Sequence, residues 1–309
     1  MSKYFIVTAG VTGSGKSSLI DKTKKYLQIP HEEELSKILI DDLIEQDPKY
    51  KKKVKGIISA VQNDCQENTE CIRNKYTTPE STLLKKFENA YFETRRSHGC
   101  LSNTEDITIP TCDELNDEIL KASIENRKHI VLETTGGYIP KWILNHNWIP
   151  SEYTIVFSYT LVSLENLILR NKSRAYKGIS NFQKNDTNPA PRFPDCSREE
   201  LEKKVTHLKN VLIDLYSSCV FSHDVNKCGT SKINRLLVFD NNNSLHIIFD
   251  SNDNNKGIDQ FISTISSALY TNGGRKSNKK KTKYKTIKRK TIKRKTIKQK
   301  TIKQKIYRK

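Results

Sequence analysis

The segment KYFIVTAGVTGSGKSSLIDKTKKYL, residues 3–27, decides how the rest of the chain folds. Residues 3–9 are an apolar run of the length of a buried strand, and residues 17–27 have the character of a helix. Between them, Gly10 to Ser17 fit the pattern G-x-x-x-x-G-K-[ST]. A strand, a glycine-rich turn and a helix in this order predict a phosphate-binding loop at the edge of a parallel sheet.

This loop is predicted to bind a nucleoside triphosphate. Its glycines let backbone N–H groups point at phosphate oxygens, and the helix N-terminus adds partial positive charge. We expect Lys16 to reach the terminal phosphates as a catalytic cation, and the Ser17 hydroxyl, supported by Ser18, to ligate Mg²⁺. ATP is favoured over GTP because the sequence has no N-K-x-D element. The predicted nucleotide-binding residues are Gly10, Val11, Thr12, Gly13, Ser14, Gly15, Lys16, Ser17 and Ser18.

Strands and helices alternate through the rest of the chain. Further strands are predicted at residues 36–41, 129–133, 153–159, 235–240 and 245–249. Helices are predicted over most of residues 47–96 and at 113–127, 163–174, 197–219 and 257–270, with Asp113 as the cap of the second of these. This alternation predicts an α/β fold of the doubly wound P-loop NTPase type, a mostly parallel sheet with helices on both faces.

The net positive charge of the chain comes from its C-terminal end. The 309 residues include 54 Lys and Arg against 35 Asp and Glu, and residues 275–309 hold 19 of the cations and no carboxylate. The body is therefore formally neutral, which excludes a uniformly basic nucleic-acid binder. Residues 286–305 repeat the units TIKRK and TIKQK, which cannot bury a core, so residues 273–309 are predicted to be a disordered tail.

Such a cationic tail is predicted to attract polyanions, with binding that weakens as salt is added. A nucleic-acid tether, a nuclear-import signal and a solubilising arm remain open for residues 275–309. Contact with a membrane is the least favoured, because an Ile every fifth residue forms no apolar helix face. The repetitive basic end in an Asn-, Lys- and Ile-rich chain is also similar to proteins of large DNA viruses.

The cysteine pattern and the N-terminus bear on the compartment. The seven cysteines form no C-x-x-C pair, and the sequence shows neither a signal-peptide layout nor a spanning segment. We therefore expect reduced thiols in a cytoplasmic or nuclear-like compartment, without secretion or membrane insertion.

Four segments, in this order, resemble the zeta-toxin-like P-loop kinases. They are the loop at residues 10–17, the stretch IDDLIEQDPKY at 40–50, the helix and strand at 115–137 that end in IVLETTG, and a segment with arginines at 167–198. The resemblance implies that residues 1–272 form a kinase-like domain. Within it, residues 173–196 would be a lid and residues 52–110 an expanded helical region.

The resemblance implies transfer of the γ-phosphoryl group of ATP to a hydroxyl group. Asp41 lies seven residues before Pro48, as the base of the family precedes its own Pro, so it would be the catalytic base, with Asp42 as the alternative. Both aspartates could instead cap the helix that follows. The family usually has an arginine three residues after the base, where this chain has Ile44.

The resemblance also assigns the acceptor-binding residues and the arginines of the lid. Glu133 and Thr135 would bind the acceptor, although Glu133 could instead pair with Lys16. Arg174 and Arg192 would be catalytic lid arginines that neutralise charge on the transferred phosphoryl group, with Arg170 as a competing assignment. A solvated surface position is the alternative for these arginines.

The implied function is an ATP- and Mg²⁺-dependent phosphotransferase that acts on a small nucleotide or sugar-nucleotide. Two alternatives stay open. One is a polynucleotide 5′-kinase recruited to nucleic acid by its basic tail, and the other is a protein that binds nucleotide and nucleic acid without catalysis. The resemblance leaves open whether an antitoxin-like partner exists.

Overall fold

The structure is a computed structural model that describes residues 3–30, 35–77, 82–145, 147–184, 189–194, 196–253 and 257–270. The strands are β1 Lys3–Ala9, β2 Leu35–Ile38, β3 His129–Thr134, β4 Tyr153–Leu161, β5 Arg235–Asp240 and β6 His246–Asp250. The helices are α1 Lys16–Tyr26, α2 Ile40–Gln46, α3 Pro48–Asp64, α4 Thr69–Thr77, α5 Thr82–Arg96, α6 Cys112–Glu125, α7 Leu164–Lys184, α8 Arg198–Leu215, α9 Val225–Cys228 and α10 Ile258–Tyr270. A π-helical segment, Tyr216–Phe221, continues α8.

The strands form one mostly parallel sheet in the order β2-β3-β1-β4-β5-β6. Strands β1 to β5 run parallel, and β6 pairs antiparallel with β5 at the edge. The central strands β1 and β4 are buried along nearly their whole length, as expected for parallel strands covered on both faces. The predicted α/β fold class is confirmed.

Alternate residues of the strands pack against different helices. On β1, Phe5 and Val7 belong to the core that includes residues of α6, α8 and α10, whereas Ile6 packs with Leu19 and Ile20 of α1 on the other face. Each of these side chains is at most 3% exposed, which corresponds to about 1.5–3 kcal/mol of stabilisation apiece. The two cores hold the sheet rigid beneath the loops that follow its strands.

The carboxyl ends of three neighbouring strands meet at one edge of the sheet. In the register of the sheet, Ala9 of β1 lies beside Thr134 of β3, and Ile38 of β2 lies beside Leu132 of β3. Ligands of open α/β sheets bind beyond this edge. The glycine-rich loop, the start of α2 and the end of β3 are therefore brought together there.

Strand β2 is shorter than predicted, and the prediction that it runs to Asp41 is wrong. It ends at Ile38, and α2 begins at Ile40, so Asp41 and Asp42 lie in the first turn of a helix. Carboxylates are stabilised in a first turn by the partial positive charge of the helix N-terminus. Leu39 occupies the N-cap position, so neither aspartate is the cap residue.

Two other helix boundaries also differ from prediction. Helix α7 continues past the predicted end at residue 174 to Lys184, because Ala175, Ile179 and Phe182 supply a buried face at helical spacing. Helix α6 is capped by Thr111 in a capping box with Glu114, rather than by Asp113. Arg174, predicted at the end of a helix, therefore lies in the middle of α7.

The expectation of reduced thiols is wrong for six of the seven cysteines. Disulfides join Cys65 to Cys71, Cys100 to Cys112 and Cys219 to Cys228, and Cys196 keeps its thiol. Each pair is close in the sequence, and a turn or loop between its members brings the sulfurs together. The Cys65–Cys71 pair lies in the predicted expanded region, and Cys100–Cys112 joins that region to the start of α6. In the expanded region, α3, α4 and α5 share a core with the lid segment.

Among the described residues, the structure contains no helix that is long and apolar enough to cross a membrane. The predicted tail at residues 273–309 lies outside the described residues.

Candidate functional site

The glycine-rich loop wraps the N-terminus of α1 in a conformation that requires glycine. Gly13 and Gly15 have φ angles of +90° and +92°, in the left-handed region that L-residues with a side chain rarely adopt. A Cβ atom on either residue would also collide with a neighbouring amide side chain, that of Asn171 at Gly13 and that of Asn241 at Gly15. The loop at residues 10–17 thus forms a cradle at the N-terminus of α1 in which only glycine fits at these two positions.

Residues from β4, α7 and the β5–β6 connection brace this cradle from outside. The carbonyl of Ser14 accepts hydrogen bonds from Asn241 Nδ2 at 2.8 Å and from Thr160 Oγ1 at 3.2 Å. Arg170 donates in turn to the carbonyl of Asn241 at 2.5 Å. Arg170, the competing lid assignment, therefore holds the loop beside the cradle and also lines the adjoining cavity.

Lys16 is the buried cation of the cradle. Its ammonium group donates to the Gly10 carbonyl at 3.1 Å and lies 3.4 Å from Oε1 of Glu133 at the end of β3. Burial lowers the pKa of Lys16, and the charge of Glu133 opposes that shift. The alternative in which Glu133 pairs with Lys16 therefore agrees with the structure.

A cavity of about 470 Å³ opens beside the cradle and gathers most of the predicted site residues. Five cations and four carboxylates line it, so phosphate groups would meet a high density of positive charge next to acidic groups. Its charged lining consists of Lys16, Lys37, Arg170, Arg174, Arg192, Asp41, Asp42, Glu45 and Glu133.

A second cavity of about 440 Å³ shares a wall with the first. Lys16, Asp41, Glu133 and Arg192 line both cavities, whereas the exposed Asp42 lines only the first. Asp41 thus stands where the two cavities meet.

Six aromatic side chains line the second cavity, alongside seven charged ones. Phe87 of α5 and Phe193 of the lid segment stack with ring centroids 3.6 Å apart, and Tyr138 is 61% exposed. Arg95 adds a guanidinium group that Asp113 holds with hydrogen bonds of 2.8 and 3.0 Å. The remaining aromatic lining consists of Tyr50, Tyr91 and Phe92. Such a lining suits a flat ring, since aromatic faces stack with each other.

Both carboxylate oxygens of Asp41 have partners. Tyr91 of α5 donates its hydroxyl to Oδ1 at 2.5 Å, and the guanidinium group of Arg192 contacts Oδ2. Burial lowers the pKa of Arg192 to about 10, which leaves it cationic at neutral pH.

Glu45, one helical turn after Asp41, joins the lid segment to α2. Its carboxylate lies 3.5 Å from Arg174 and 3.7 Å from Arg192, and its backbone carbonyl accepts from Ala190 N at 2.7 Å. Burial raises the pKa of Glu45 to about 7, against the opposing charge of Arg174. The two predicted lid arginines are thus held by a carboxylate that the sequence analysis did not single out.

The buried carboxyl group predicts a pH dependence of stability. Because its pKa is raised above that of the unfolded chain, the stabilisation from Glu45 is present below about pH 4.5 and is lost as pH rises through about 7. Between pH 5 and pH 8, the free energy of unfolding should therefore fall by about 1–3 kcal/mol more in the natural protein than in Glu45→Gln. Urea unfolding of both proteins at the two pH values measures this difference, and parallel pH dependences would contradict it.

Several predicted residues lie outside the cavity at the cradle. Thr12 and Thr135 line only the second cavity, whereas neither cavity is lined by the exposed Ser18 or by the buried Gly10, Val11 and Ser14. Ser17 is exposed and lines the first cavity, where its hydroxyl is available to a cation.

Within the described part of the chain, no three carboxylates beside the cradle have ligand atoms close enough together to share a metal ion. Among the described residues, the one trio with ligand atoms close enough to share an ion is Asp47, Cys100 and Cys112. Cys100 and Cys112 are joined in a disulfide, so this trio offers no thiolate to a metal. The Ser17 hydroxyl at the cradle nevertheless fits Mg²⁺, which binds few protein ligands and fills its shell with phosphate oxygens and water.

Comparison with known proteins gives structural similarity at low sequence identity. No protein-family model matches the chain, and no curated protein does either. A structure from the PezAT chromosomal toxin–antitoxin system of Streptococcus pneumoniae is similar over 92% of this chain and 84% of its own, with 11% identity and a TM-score of 0.49. A proposed kinase from Chloroflexus aurantiacus is similar over 66% of this chain and 78% of its own, with 10% identity and a TM-score of 0.29.

Proposed function

We propose that the protein transfers the γ-phosphoryl group of ATP to a hydroxyl of a small nucleotide or sugar-nucleotide. One observation carries the proposal: Asp41 stands between a cationic cavity at the phosphate-binding cradle and an aromatic cavity beside it. A phosphoryl donor in the first cavity and an alcohol in the second would meet at the carboxylate. Positioning of this kind, together with charge stabilisation, provides most of the catalysis in phosphoryl transfer.

In this proposal each charged residue has one task. The N–H groups of residues 13–17 and the ammonium group of Lys16 bind the phosphates, and Arg174 and Arg192 neutralise charge on the transferred group. Asp41 orients the acceptor hydroxyl and accepts its proton as the oxygen attacks phosphorus and the bond to the leaving ADP breaks. Mg²⁺, held through Ser17, would screen the phosphate charge.

The second cavity supports the choice of acceptor. Its aromatic rings suit a nucleobase, and Glu133 and Thr135 at its wall offer oxygen atoms that accept hydrogen bonds from sugar hydroxyls. Asp42 is a weaker candidate for the base because it lines only the cavity at the cradle.

The proposal is tested by incubating the protein with Mg²⁺, γ-labelled ATP and separate panels of nucleosides, nucleoside monophosphates, sugar-nucleotides and 5′-hydroxyl oligonucleotides. We expect label on a member of the small-molecule panels. Binding of ATP without label on any acceptor would contradict the proposal and would favour the non-catalytic alternative.

The basic tail favours one second candidate, a polynucleotide 5′-kinase. Nineteen cations in residues 275–309 would recruit DNA or RNA through its phosphates. We predict that deleting residues 275–309 lowers affinity for a 5′-hydroxyl oligonucleotide on the order of 10²-fold at low salt and leaves phosphorylation of a small acceptor unchanged. Fluorescence anisotropy and the labelling assay measure the two effects. If the deletion also lowered the turnover of a small acceptor, this would contradict the proposal that the tail contributes only to nucleic-acid binding.

A further inference from the structure

Tyr91 makes the most specific contact with the proposed base, and it comes from α5, in the expanded region. Its hydroxyl donates to Asp41 Oδ1 at 2.5 Å across 50 positions of sequence. Burial raises the pKa of Tyr91 to about 12, so the hydroxyl keeps its proton and remains a donor at neutral pH.

The surroundings of Tyr91 fix its ring. Tyr50, which is 1% exposed, meets it edge to face with centroids 6.3 Å apart, and the hydroxyl of Tyr50 donates to the Pro191 carbonyl at 3.2 Å. Tyr91 therefore packs against α3, which Tyr50 joins to the lid segment, and it reaches Asp41 in a defined direction. Tyr91 also lines the aromatic cavity, where the acceptor would lie.

We propose that Tyr91 is a positioning residue that holds Asp41 Oδ1 so that Oδ2 faces the acceptor hydroxyl. The inference rests on the proposed function. In the reaction, Arg192 moves from Oδ2 to the transferred phosphoryl group, and Oδ2 then takes the proton of the acceptor. The acceptor oxygen forms its bond to phosphorus while the bond from phosphorus to the departing ADP oxygen breaks. Tyr91 keeps its own proton throughout.

Loss of the Tyr91 hydroxyl should change how Asp41 titrates, because a hydrogen bond to the carboxylate stabilises its charged form. The other charged groups around the carboxylate stay in place when only this hydroxyl is removed. They line the two cavities and come from the cradle, β2, α2, α5, β3, α7, α8 and the lid segment, namely Lys16, Lys37, Asp42, Glu45, Glu88, Arg95, Glu133, Arg170, Arg174, Arg192 and Lys204.

The test compares Tyr91→Phe with Tyr26→Phe in the full chain. Tyr26 provides a matched control because its hydroxyl donates to the Asp250 carboxylate at 2.8 Å, at the opposite edge of the sheet. Carbon-13 NMR of the carboxyl groups follows the titration of Asp41 without any acceptor. In Tyr91→Phe we expect the midpoint of the Asp41 titration to rise by about 0.5–1 pH unit. In Tyr26→Phe this midpoint should not change.

The rate of phosphoryl transfer from Mg²⁺-ATP to water gives the second readout. At pH values below the midpoint of the acidic limb of the pH–rate profile, Tyr91→Phe should transfer phosphate about three- to tenfold more slowly than the natural protein. This difference in rate should shrink at higher pH. Incorporation of 3-fluorotyrosine at position 91, a stronger donor, should move the limb to lower pH. An unshifted midpoint, or a loss of rate that is equal at every pH, would assign Tyr91 a purely structural role. If the natural protein transfers no phosphate, the proposed function fails, while the NMR titration still decides the Tyr91–Asp41 contact.

Discussion

Phosphoryl transfer from ATP is expected to fall on the order of 10³-fold when Lys16 is replaced by alanine. The ammonium group is the buried cation at the floor of the cradle, next to the Gly10 carbonyl and Glu133. Its loss removes positive charge that would face the terminal phosphates and leaves Glu133 without this partner. Nucleotide affinity should also fall, because the same charge contributes to binding before the reaction.

The labelling assay and titration calorimetry with Mg²⁺-ATP measure these two effects. Lys25→Ala is the matched control, since Lys25 is exposed in the last turn of the same helix, away from the cradle. Its rate and affinity should equal those of the natural protein. Unchanged transfer in Lys16→Ala would mean that the cradle does not hold the reacting phosphates.

Replacing Asp41 with asparagine is expected to lower phosphoryl transfer by about 10²–10⁴-fold and to change the affinity for Mg²⁺-ATP by less than about twofold. The amide retains the shape of the side chain and can still meet the Tyr91 hydroxyl through its oxygen, but it cannot accept the acceptor's proton. The contact of Oδ2 with Arg192 is also lost, which frees a lid arginine rather than removing it.

Asp42→Asn separates the base from its neighbour. Asp42 is one residue along the same helix, is exposed, and lines only the cavity at the cradle. Single-turnover transfer should therefore be close to normal in Asp42→Asn and almost absent in Asp41→Asn. The reverse pattern would assign the base to Asp42, and equal rates in both variants would remove the base from α2 altogether.

The parts of the site that depend on local sequence could be predicted. The loop at residues 10–17 has its pattern because glycine is required at φ angles near +90°, and this requirement is visible in the sequence itself. The order of strands and helices likewise follows from short apolar runs. Since parallel strands present their carboxyl ends at one edge, Glu133 could be placed near the loop without further information.

The parts of the site that depend on packing between distant segments could not be predicted from the sequence. Tyr91 reaches Asp41 only because α5 packs against α3 and the lid segment, and no spacing rule links positions 50 residues apart. Glu45 is different, since it lies four residues after Asp41 on the same helix. The prediction that β2 extends to Asp41 hid this relationship, which a helix start at residue 40 would have revealed.

The central claim is that donor and acceptor meet at Asp41, and a crystal structure with Mg²⁺ and a non-hydrolysable ATP analogue tests it most directly. We expect the terminal phosphate to lie within hydrogen-bonding distance of Lys16 Nζ, with its outer face directed at the wall where Asp41 separates the two cavities. A nucleotide bound elsewhere on the chain, or a terminal phosphate turned away from that carboxylate, would contradict the account.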